Sequence, residues 1–369
     1  MTKRQALICT QSDLTTDYRV HKMAQTLRSV GYEVSFLSRS HPDRAKNTCT
    51  DTHIMRLLTW RGPLFYAEFN IRIFLYLLFH RRYDLIVAID LDTIAGCAMG
   101  KKLRGGKLFF DSHEYFPGLP ELVGRPLISK VWTKIQDIFV HSADVCATVC
   151  QGIADIFKQK YDVDFLVVRN APLADREVDT PLANVEANRP FTLLYQGAVN
   201  IGRGVEETIR AMKQLPDCRL LIVGSGDIVS QCKQLSEELR VTDRVIFCGR
   251  RPFAELAKYM SQADLGLVLS ADTCINQHFV LPNRIFDFVH ATLPILANRL
   301  PEMSRIVEGE NVGLCIDSIS PDEIVSAVGQ IRSDISRIGV WKQNMLRLRN
   351  VLTWENETAQ LIERIKALQ

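Results

Sequence analysis

Short apolar segments alternate with helix-length segments along nearly the whole chain, and this alternation limits the possible folds more than any other feature. In the first half the predicted strands are residues 6–9, 33–37, 85–89, 107–110, 145–149 and 166–168. In the second half they are residues 191–195, 219–223, 245–247, 265–269, 295–297 and 313–316. Strands separated in this way form βαβ units around a parallel sheet. The pattern therefore predicts an α/β protein with two doubly wound domains that face each other across a cleft.

A polar stretch between the two halves marks the predicted domain boundary. Residues 174–190 carry many charges and interrupt the apolar pattern. We place the N-terminal domain at residues 1–172, the linker at 173–190 and the C-terminal domain at 191–350, with a last helix in 351–369. Ligands of doubly wound domains bind at the carboxyl ends of the strands, so the loops there are the first places to look for a site.

Composition indicates an ordinary globular protein from a reducing compartment. Apolar residues make up 47% and charged residues 24%, and the net charge of +3 is too small to indicate nucleic-acid binding through the bulk field. Most of the ten cysteines lie in apolar runs, which predicts a cytoplasmic protein without a disulfide framework. The first apolar run is too short for a secretory signal, and no run is long enough to span a bilayer.

The segment Leu281-Pro282-Asn283-Arg284 combines a predicted helix start with a charged side chain. Proline fits the first helical turn, and apolar residues recur at helical spacing after it. An exposed helix N-terminus and a guanidinium group together suit a phosphate, and Asp287 could accept hydrogen bonds from sugar hydroxyls. The alternative is an ordinary capped helix that leads into a buried strand.

A glycine-rich segment follows the first predicted strand of the second half. Gly197 ends that strand, and Gly202-Arg203-Gly204 precedes a helix predicted at 205–215. Glycines let backbone N–H groups approach an anion closely, and Arg203 would supply a full positive charge to a diphosphate. Surface loops often have the same composition, so the motif alone is weak.

Two further turns follow the next strands of the second half. Gly224 lies in a turn that lacks the three-glycine spacing of nicotinamide dinucleotide sites, so we interpret it as a structural turn first and a nucleotide-base contact second. Arg250 precedes Arg251 in the following loop, where it either touches the base or a phosphate or is solvated.

Polar residues also follow predicted strands of the first half. His113 and Glu114 come directly after one strand, at the expected cleft edge. Asp92 comes after another, where it either positions an acceptor or, as we expect more, caps the next helix. Arg19 follows the first strand and either reaches into the cleft or pairs with Asp17.

The order of these motifs resembles that of retaining glycosyltransferases with the GT-B fold, in particular the large family 4. The shared segments are 281–297, 196–204 and 111–114, and the resemblance covers nearly the whole chain. It implies two Rossmann-like domains and a last helix that crosses back to the N-terminal one. It also implies transfer of a sugar, with retention, from a nucleoside diphosphate sugar to a hydroxyl of a glycan or lipid-linked glycan. We expect no metal ion or other cofactor, because no donor loop carries an Asp-x-Asp clamp.

With this resemblance, the sequence analysis assigns roles to individual residues. The catalytic candidates are His113, Arg203 and Arg284. The donor-binding candidates are Gly197, Gly202, Gly204, Gly224, Arg250, Leu281, Pro282, Asn283 and Asp287. The acceptor-binding candidates are Arg19, Asp92 and Glu114.

Two positions depart from the family pattern and keep alternatives open. Ala198 stands where many members have arginine, and Phe279 stands where many have a glutamate. Nearby polar candidates are Asn276, Gln277 and His278. One alternative is a catalytically silent, nucleotide-sugar-binding subunit. Another is a nucleotide-sugar epimerase of the same fold, which would need a paired acid and base that the sequence does not show.

The segment 66–82 is apolar almost all round and has a basic fringe. One interpretation is a buried core helix of the first domain. The other is a helix that lies in the interface of an anionic membrane, which would give a peripheral contact through residues 61–82 at the inner face of the membrane.

Overall fold

The computed structural model describes residues 3–15, 17–39, 51–174 and 189–369. Most of the predicted linker, 173–190, therefore lies outside the described residues. The chain divides into two compact units. The first comprises Met1–Asn170, Cys274–Asn276 and Trp354–Gln369, and the second comprises Ala171–Thr273 and Gln277–Thr353.

A parallel sheet forms the centre of the first unit. Its strands are β1 (Arg4–Cys9), β2 (Tyr32–Arg39), β3 (Thr52–Met55), β4 (Leu85–Ile89), β5 (Lys107–Ser112), β6 (Val145–Thr148) and β7 (Leu166–Val167). They lie in the order β3-β2-β1-β4-β5-β6-β7, and each described pairing is parallel. Strand order reverses between β1 and β4, so the loops after these two strands diverge and leave room for a ligand.

Burial explains which strands the sequence reveals. β4 is buried along its whole length and is a continuous apolar run, as expected for a central parallel strand. The sequence analysis missed β3, because this short edge strand is only partly buried and carries no regular apolar pattern.

The helices described between these strands flank the sheet. They are α1 (Tyr18–Ser29), α2 (Gly62–Phe79), α3 (Leu91–Arg104), α4 (Pro126–Phe139) and α5 (Gln151–Tyr161). Short 3₁₀ turns at Phe116–Gly118 and Pro120–Leu122 precede α4.

Helix α2 packs closely on α3 along one stripe. Its buried residues, spaced four apart, are Phe65, Phe69, Ile73 and Leu77. The approach needs a small residue, because a Cβ atom on Gly100 would lie 2.4 Å from Cδ1 of Leu77. The large apolar residues that α2 exposes are Leu64, Ile71, Leu75 and Phe79. Helix α2 therefore contributes to the core with one side only. No helix among the described residues is long and apolar enough to cross a bilayer.

A second parallel sheet forms the centre of the second unit. Its strands are β8 (Phe191–Gln196), β9 (Cys218–Val223), β10 (Val245–Gly249), β11 (Leu265–Val268), β12 (Ile295–Asn298) and β13 (Gly313–Ile316). They lie in the order β10-β9-β8-β11-β12-β13, so the order reverses between β8 and β11. With two parallel sheets and flanking helices, the prediction of two Rossmann-like domains is confirmed.

The described helices of this part of the chain cover both faces of the second sheet. They are α6 (Val205–Ala211), α7 (Val229–Glu238), α8 (Phe253–Ser261), α9 (Ile275–His278), α10 (Arg284–His290), α11 (Pro301–Val307), α12 (Pro321–Ser333) and α13 (Ile335–Leu348). The helix predicted at 205–215 begins at Val205 but ends at Ala211, and a 3₁₀ turn, Met212–Gln214, completes it. Two buried apolar clusters fill the unit.

The last helix, α14 (Trp354–Ala367), packs on the first unit. The indole Nε1 of Trp354 donates a hydrogen bond to Oγ1 of Thr26 at 2.8 Å, and the ammonium of Lys22 lies 4.4 Å from the ring centroid. Glu357 accepts a hydrogen bond from the Arg169 guanidinium at 2.6 Å. Helix α14, which follows the second unit in the sequence, therefore completes the core of the first unit.

We predict that Trp354→Ala destabilises the first unit by about 3–5 kcal/mol, because it removes a large buried ring and the bond to Thr26. Trp60→Ala is the control, since this tryptophan is 44% exposed, and it should cost less than about 1 kcal/mol. Urea unfolding followed by circular dichroism measures both. Equal effects of the two substitutions would contradict the anchoring role of Trp354.

Candidate functional site

A pocket of about 340 Å³ lies at the carboxyl ends of β8, β9 and β10. Its lining residues are Gln196, Gly197, Ala198, Val223, Gly224, Ser225, Arg250, Arg251 and Leu256. The pocket adjoins the position where strand order reverses between β8 and β11, which is where doubly wound sheets bind ligands. Its volume is in the range of small-molecule sites.

Close backbone approach explains two of the predicted glycines. A Cβ atom on Gly224 would lie 1.8 Å from the carbonyl oxygen of Gly197, so the two loops touch through their backbones. Gly204 has φ of 71°, and a Cβ atom there would lie 2.4 Å from Cβ of Leu269. Larger residues would therefore push apart the walls of the pocket and the loop before α6.

Arg284, the first residue of α10, is buried beside this pocket. Its Nη1 donates to the carbonyl of Gln196 at 3.0 Å and its Nη2 to the carbonyl of Leu269 at 3.2 Å. The guanidinium carbon lies 4.8 Å from the ring centroid of Tyr195. Its buried Nε has no hydrogen-bond partner among the described residues. The side chain thus links the loops after β8 and β11, and its Nε–H group makes no hydrogen bond to the described residues.

A second cation lies within electrostatic range of the first. Burial lowers the pKa of Arg284, and the charge of Arg203 lowers it further. The half-buried Arg203 makes no hydrogen bond or ion pair with the described residues. Asp287 accepts a hydrogen bond from Nε2 of Gln196 at 3.0 Å, which leaves the buried Oε1 of Gln196 without a partner. Arg203 and Arg284 thus make this site positively charged. Nε of Arg284 and Oε1 of Gln196 have no hydrogen-bond partner among the described residues.

The segment before α10 forms the helix start that the sequence indicates. The carbonyl of Pro282 accepts from the N–H of Ile285 at 3.0 Å, and that of Asn283 accepts from Phe286 at 3.0 Å. Leu281 and Pro282 are half-buried, and Asn283 is exposed. The side chain of Asn283 makes no capping bond, and the buried strand β12 follows α10.

Other polar candidates of the second half have partners that limit their freedom. Gln277 bonds Thr273, and His278 bonds Asp272 at 2.8 Å. Asn276, which belongs to the first unit by its contacts, bonds both backbone groups of Tyr115. These side chains are therefore held by contacts within the structure, as Asp287 is by Gln196.

The two arginines after β10 differ. Arg251 donates from Nε to the carbonyl of Cys248 at 3.0 Å and lies 3.9 Å from Glu255. Arg250 is exposed, lines the pocket and makes no hydrogen bond or ion pair with the described residues. Gly224 donates its N–H to the carbonyl of Gly249 at 3.0 Å, which fixes the pocket wall between them.

In the first unit, His113 lies between two carboxylates at the ends of β4 and β5. Its Nε2 is 3.1 Å from Oδ2 of Asp111, its Nδ1 is 3.5 Å from Oδ2 of Asp90, and its backbone N–H donates to Oδ1 of Asp90 at 2.7 Å. The sequence analysis missed Asp90. The available signal is its position at the end of β4, the strand that pairs with β5.

Electrostatics fix the charge of His113. Burial lowers its pKa, but the nearby charges of Asp90 and Asp111 outweigh this and raise the pKa to about 9. Burial also opposes the charge of Asp111, but Arg19 and His113 hold the pKa of that carboxyl well below its usual range. At neutral pH His113 is therefore an imidazolium, which donates hydrogen bonds and cannot act as a base.

Arg19 has a different partner from the one considered in the sequence. Its Nε and Nη2 bond both oxygens of Asp111 at 3.1 and 2.7 Å, and its Nη1 donates to the carbonyl of Val168 at 2.8 Å. The pairing with Asp17 is wrong, because Asp17 caps α1 by accepting from the N–H of Val20 at 3.1 Å. Arg19 is buried and positions Asp111, so an acceptor contact would have to be indirect.

Asp92 and Glu114 occupy opposite environments. Helix α3 begins at Leu91, so Asp92 lies inside its first turn, and the capping interpretation is wrong. Both carboxylate oxygens of Asp92 are buried without a hydrogen-bond partner among the described residues, and burial raises its pKa well above the usual range. Asp92 is thus a buried carboxyl without a side-chain hydrogen-bond partner among the described residues, whereas Glu114 is exposed.

The described part of the chain has no group of three or more His, Cys, Asp or Glu side chains arranged to hold a metal ion.

Comparisons with known proteins assign both halves of the chain to the same class of protein. Residues 17–171 match the family model described as Glycosyltransferase Family 4, and residues 190–334 match the one described as Glycosyl transferases group 1. The lipopolysaccharide core biosynthesis glycosyltransferase LpsD of Rhizobium meliloti is 27% identical over 64% of this chain and 64% of its own length. A GDP-mannose-dependent mannosyltransferase of Mycolicibacterium smegmatis, which acts on a phosphatidylinositol monomannoside, is 25% identical over 43% of this chain and 46% of its own. The chain thus spans less than two thirds of these curated relatives.

Solved structures match over almost the entire chain. A sucrose-phosphate synthase from Thermosynechococcus elongatus has a TM-score of 0.79 and 18% identity, with 99% of each chain covered. HepE from Anabaena, in complex with UDP and glucose, has a TM-score of 0.74 and 16% identity, with 98% of this chain and 99% of its own covered. At these identities the likeness concerns the fold, which is of the GT-B type.

We predict that the ion pairs of His113 make the first unit pH-dependent. The folded pKa of about 9 lies above the value of about 6.5 for an unperturbed histidine, so the stabilisation is complete below pH ~6.5 and is lost as pH rises through about 9. The free-energy difference between the wild type and His113→Gln should shrink by about 3 kcal/mol across this window.

Urea unfolding at pH 6 to 10 measures this difference, and His141→Gln, at an exposed position, is the control. A His113→Gln penalty that stays constant across the range would refute the charged assignment.

Proposed function

Because the chain belongs to the glycosyltransferases of the group 1 and family 4 type, we propose that it transfers a sugar from a nucleoside diphosphate sugar to a hydroxyl acceptor with retention of configuration. The observation that carries the proposal is the buried Arg284, which bonds to Gln196 of the pocket wall and lies close enough to Arg203 for that charge to lower its pKa. Two neighbouring cations, neither with an acidic partner among the described residues, favour a ligand with more than one negative charge.

The donor is proposed to lie along the pocket and the two arginines. The nucleoside would occupy the space beside Gly197, Gly224 and Arg250, and the diphosphate would reach Arg203 and the free Nε of Arg284. The carboxylate of Asp287 and the unpaired Oε1 of Gln196 are suited to accept hydrogen bonds from hydroxyl groups of the donor.

The proposed reaction needs no covalent enzyme intermediate. The bond between the anomeric carbon and the diphosphate oxygen breaks while the acceptor oxygen bonds to the same face of the sugar. The proton of the acceptor hydroxyl passes to the departing diphosphate. Arg203 and Arg284 stabilise the charge that develops there, each by about 3 kcal/mol.

His113 is proposed to donate a hydrogen bond to the transferred sugar, as the family resemblance implies. Its raised pKa supports a donor role, because the imidazolium keeps its protons at neutral pH. Asp90, Asp111 and Arg19 hold the ring and would act through it. Asp92, whose burial raises the pKa of its carboxyl, and the exposed Glu114 are proposed to position the acceptor hydroxyl.

The acceptor is proposed to be a glycan or lipid-linked glycan of polysaccharide biosynthesis, handled in the cytoplasm at the inner face of the membrane. The relatives' names include a lipopolysaccharide core enzyme and a phosphatidylinositol mannoside enzyme, which supports this class. Residues 61–82 support a membrane contact, because Leu64, Ile71 and Phe79 are exposed next to a basic fringe.

We predict that one nucleoside diphosphate among UDP, GDP, ADP and dTDP raises the stability of the folded chain. At a hundredfold excess over Kd the gain is about 2.7 kcal/mol, and thermal unfolding measures it. Arg203→Ala should abolish the gain, whereas Arg210→Ala, at an exposed position on α6, should keep it. A nucleotide gain that survives in Arg203→Ala would contradict the proposed diphosphate contact.

Turnover separates an enzyme from a silent binding subunit. With the matching sugar nucleotide and a glycolipid extract as acceptor, Arg203→Ala should lower kcat about 10²- to 10³-fold. Arg210→Ala again serves as the control. A wild-type chain that binds the nucleotide but releases none from the sugar nucleotide would favour the silent subunit.

A further inference from the structure

The first unit contains a cavity that the proposed sugar chemistry does not use. It has a volume of about 810 Å³ and lies between α2, α3, α4 and the segment before α4. Its walls are mainly apolar, and the aromatic side chains among them are Tyr66, Phe116 and Trp132. Phe116 and Tyr66 both make edge-to-face contacts with Trp132, with ring centroids 4.6 and 4.8 Å away. A cavity of this size holds a ligand of considerable length.

The cavity is a poor site for a sugar. Saccharides need several free polar groups, and the polar groups that α2 and α3 contribute to the lining are the amide of Asn70 and the hydroxyl of Tyr66. That amide is already used, because its nitrogen donates to the carbonyls of Tyr66 and Asp92 and its oxygen accepts from Gly96. Hydrocarbon is therefore the chemistry that this lining favours.

The mouth of the cavity is apolar and cationic at once. The lining residues Leu127 and Val131 are 76% and 58% exposed, which is unusual for residues of this size. The side chain of the lining residue Arg125 is exposed and makes no hydrogen bond or ion pair with the described residues. Two more exposed basic residues, Arg61 and Lys130, are the sequence neighbours of the lining residues Gly62 and Val131.

Among the lining side chains Glu121 is acidic and Arg125 is basic. Arg61 and Lys130, next in sequence to lining residues, add positive charge near the cavity, which complements an anionic head group.

Resting on the proposed function, we propose that this cavity takes the hydrocarbon chain of an anionic lipid that carries the acceptor hydroxyl. The chain enters between α2 and α4 and lies against Trp132, while its phosphate stays at the rim beside Arg61 and Arg125. The exposed residues around the mouth then face the surface from which the lipid comes. The acceptor class is thereby narrowed to lipid-linked glycans.

The test measures binding of n-alkyl phosphates to the full chain by calorimetry, at concentrations below micelle formation. Affinity should rise up to about fourfold with each added methylene and level off once the chain fills the cavity. Inorganic phosphate should not bind at the same concentrations. Affinity that does not depend on chain length would overturn the proposal.

Two substitutions fill the cavity from different walls. Ala67→Trp acts from α2, where Ala67 is exposed, and Ala95→Phe acts from α3. Each should weaken binding of dodecyl phosphate at least tenfold while circular dichroism stays that of the wild type. Leu75→Trp is the matched control, because Leu75 lies on the exposed side of α2 outside the cavity, and it should leave the affinity unchanged. Equal loss in all three variants, or in none, would overturn the proposal.

The head group is tested separately from the chain. Arg125→Gln should weaken binding of dodecyl phosphate several-fold and leave binding of the uncharged dodecyl maltoside unchanged. Equal loss for both ligands would overturn the anionic assignment. Because binding is measured without turnover, the two proposals fail separately. A chain that binds alkyl phosphates but transfers no sugar refutes the proposed function alone, whereas transfer without chain-length dependence refutes this inference alone.

Discussion

The candidate site of the second unit depends on the burial of one guanidinium group. Arg284 sits among apolar residues and donates to the carbonyls of Gln196 and Leu269, which end neighbouring strands at the reversal of strand order. Carbonyl dipoles satisfy its hydrogen bonds but do not neutralise its charge. A buried cation without a carboxylate partner is costly, and an anionic ligand would reduce that cost. The arrangement therefore both closes the loops around the pocket and attracts negative charge to it.

The first unit handles its buried charges differently. Arg19, Asp111, His113 and Asp90 alternate in sign along a chain of hydrogen bonds and ion pairs, so each charge has an opposite neighbour. The network keeps the histidine protonated, and Arg19 cannot be removed without leaving the carboxyl of Asp111 unpaired in the interior. The charges of this network in the first unit thus balance one another. In the second unit the buried charge of Arg284 has no opposite charge beside it among the described residues and is suited to an anionic ligand. This contrast suits a division of labour in which one unit binds the diphosphate and the other orients neutral hydroxyl groups.

Much of the fold follows from the sequence because parallel strands are buried on both faces. Their continuous apolar runs can be recognised without knowledge of their neighbours, and the structure contains a strand at each predicted position. Strand β3 was not predicted because it lies at the edge of the sheet, where partial burial does not require a regular apolar pattern. The start of α10 was predictable for a local reason, since proline dictates where that helix begins.

The side-chain partners were not predictable in the same way. Arg19 meets Asp111 across 92 positions of sequence, and only the neighbouring order of the strands brings them together. The sequence could not distinguish Asp17 from Asp111 as the partner, and the nearer residue proved wrong. Asp92 was misinterpreted because a shift of the helix boundary by one residue moves it from the capping position into the buried first turn of α3.

A crystal structure of the full chain with an intact nucleoside diphosphate sugar tests the central claim most directly. The account predicts diphosphate oxygens within hydrogen-bonding distance of Arg203 and of Nε of Arg284, with the base against Gly197 and Gly224. A diphosphate bound elsewhere, or bound beside Gly197 and Gly224 without contact to either guanidinium group, would contradict the account.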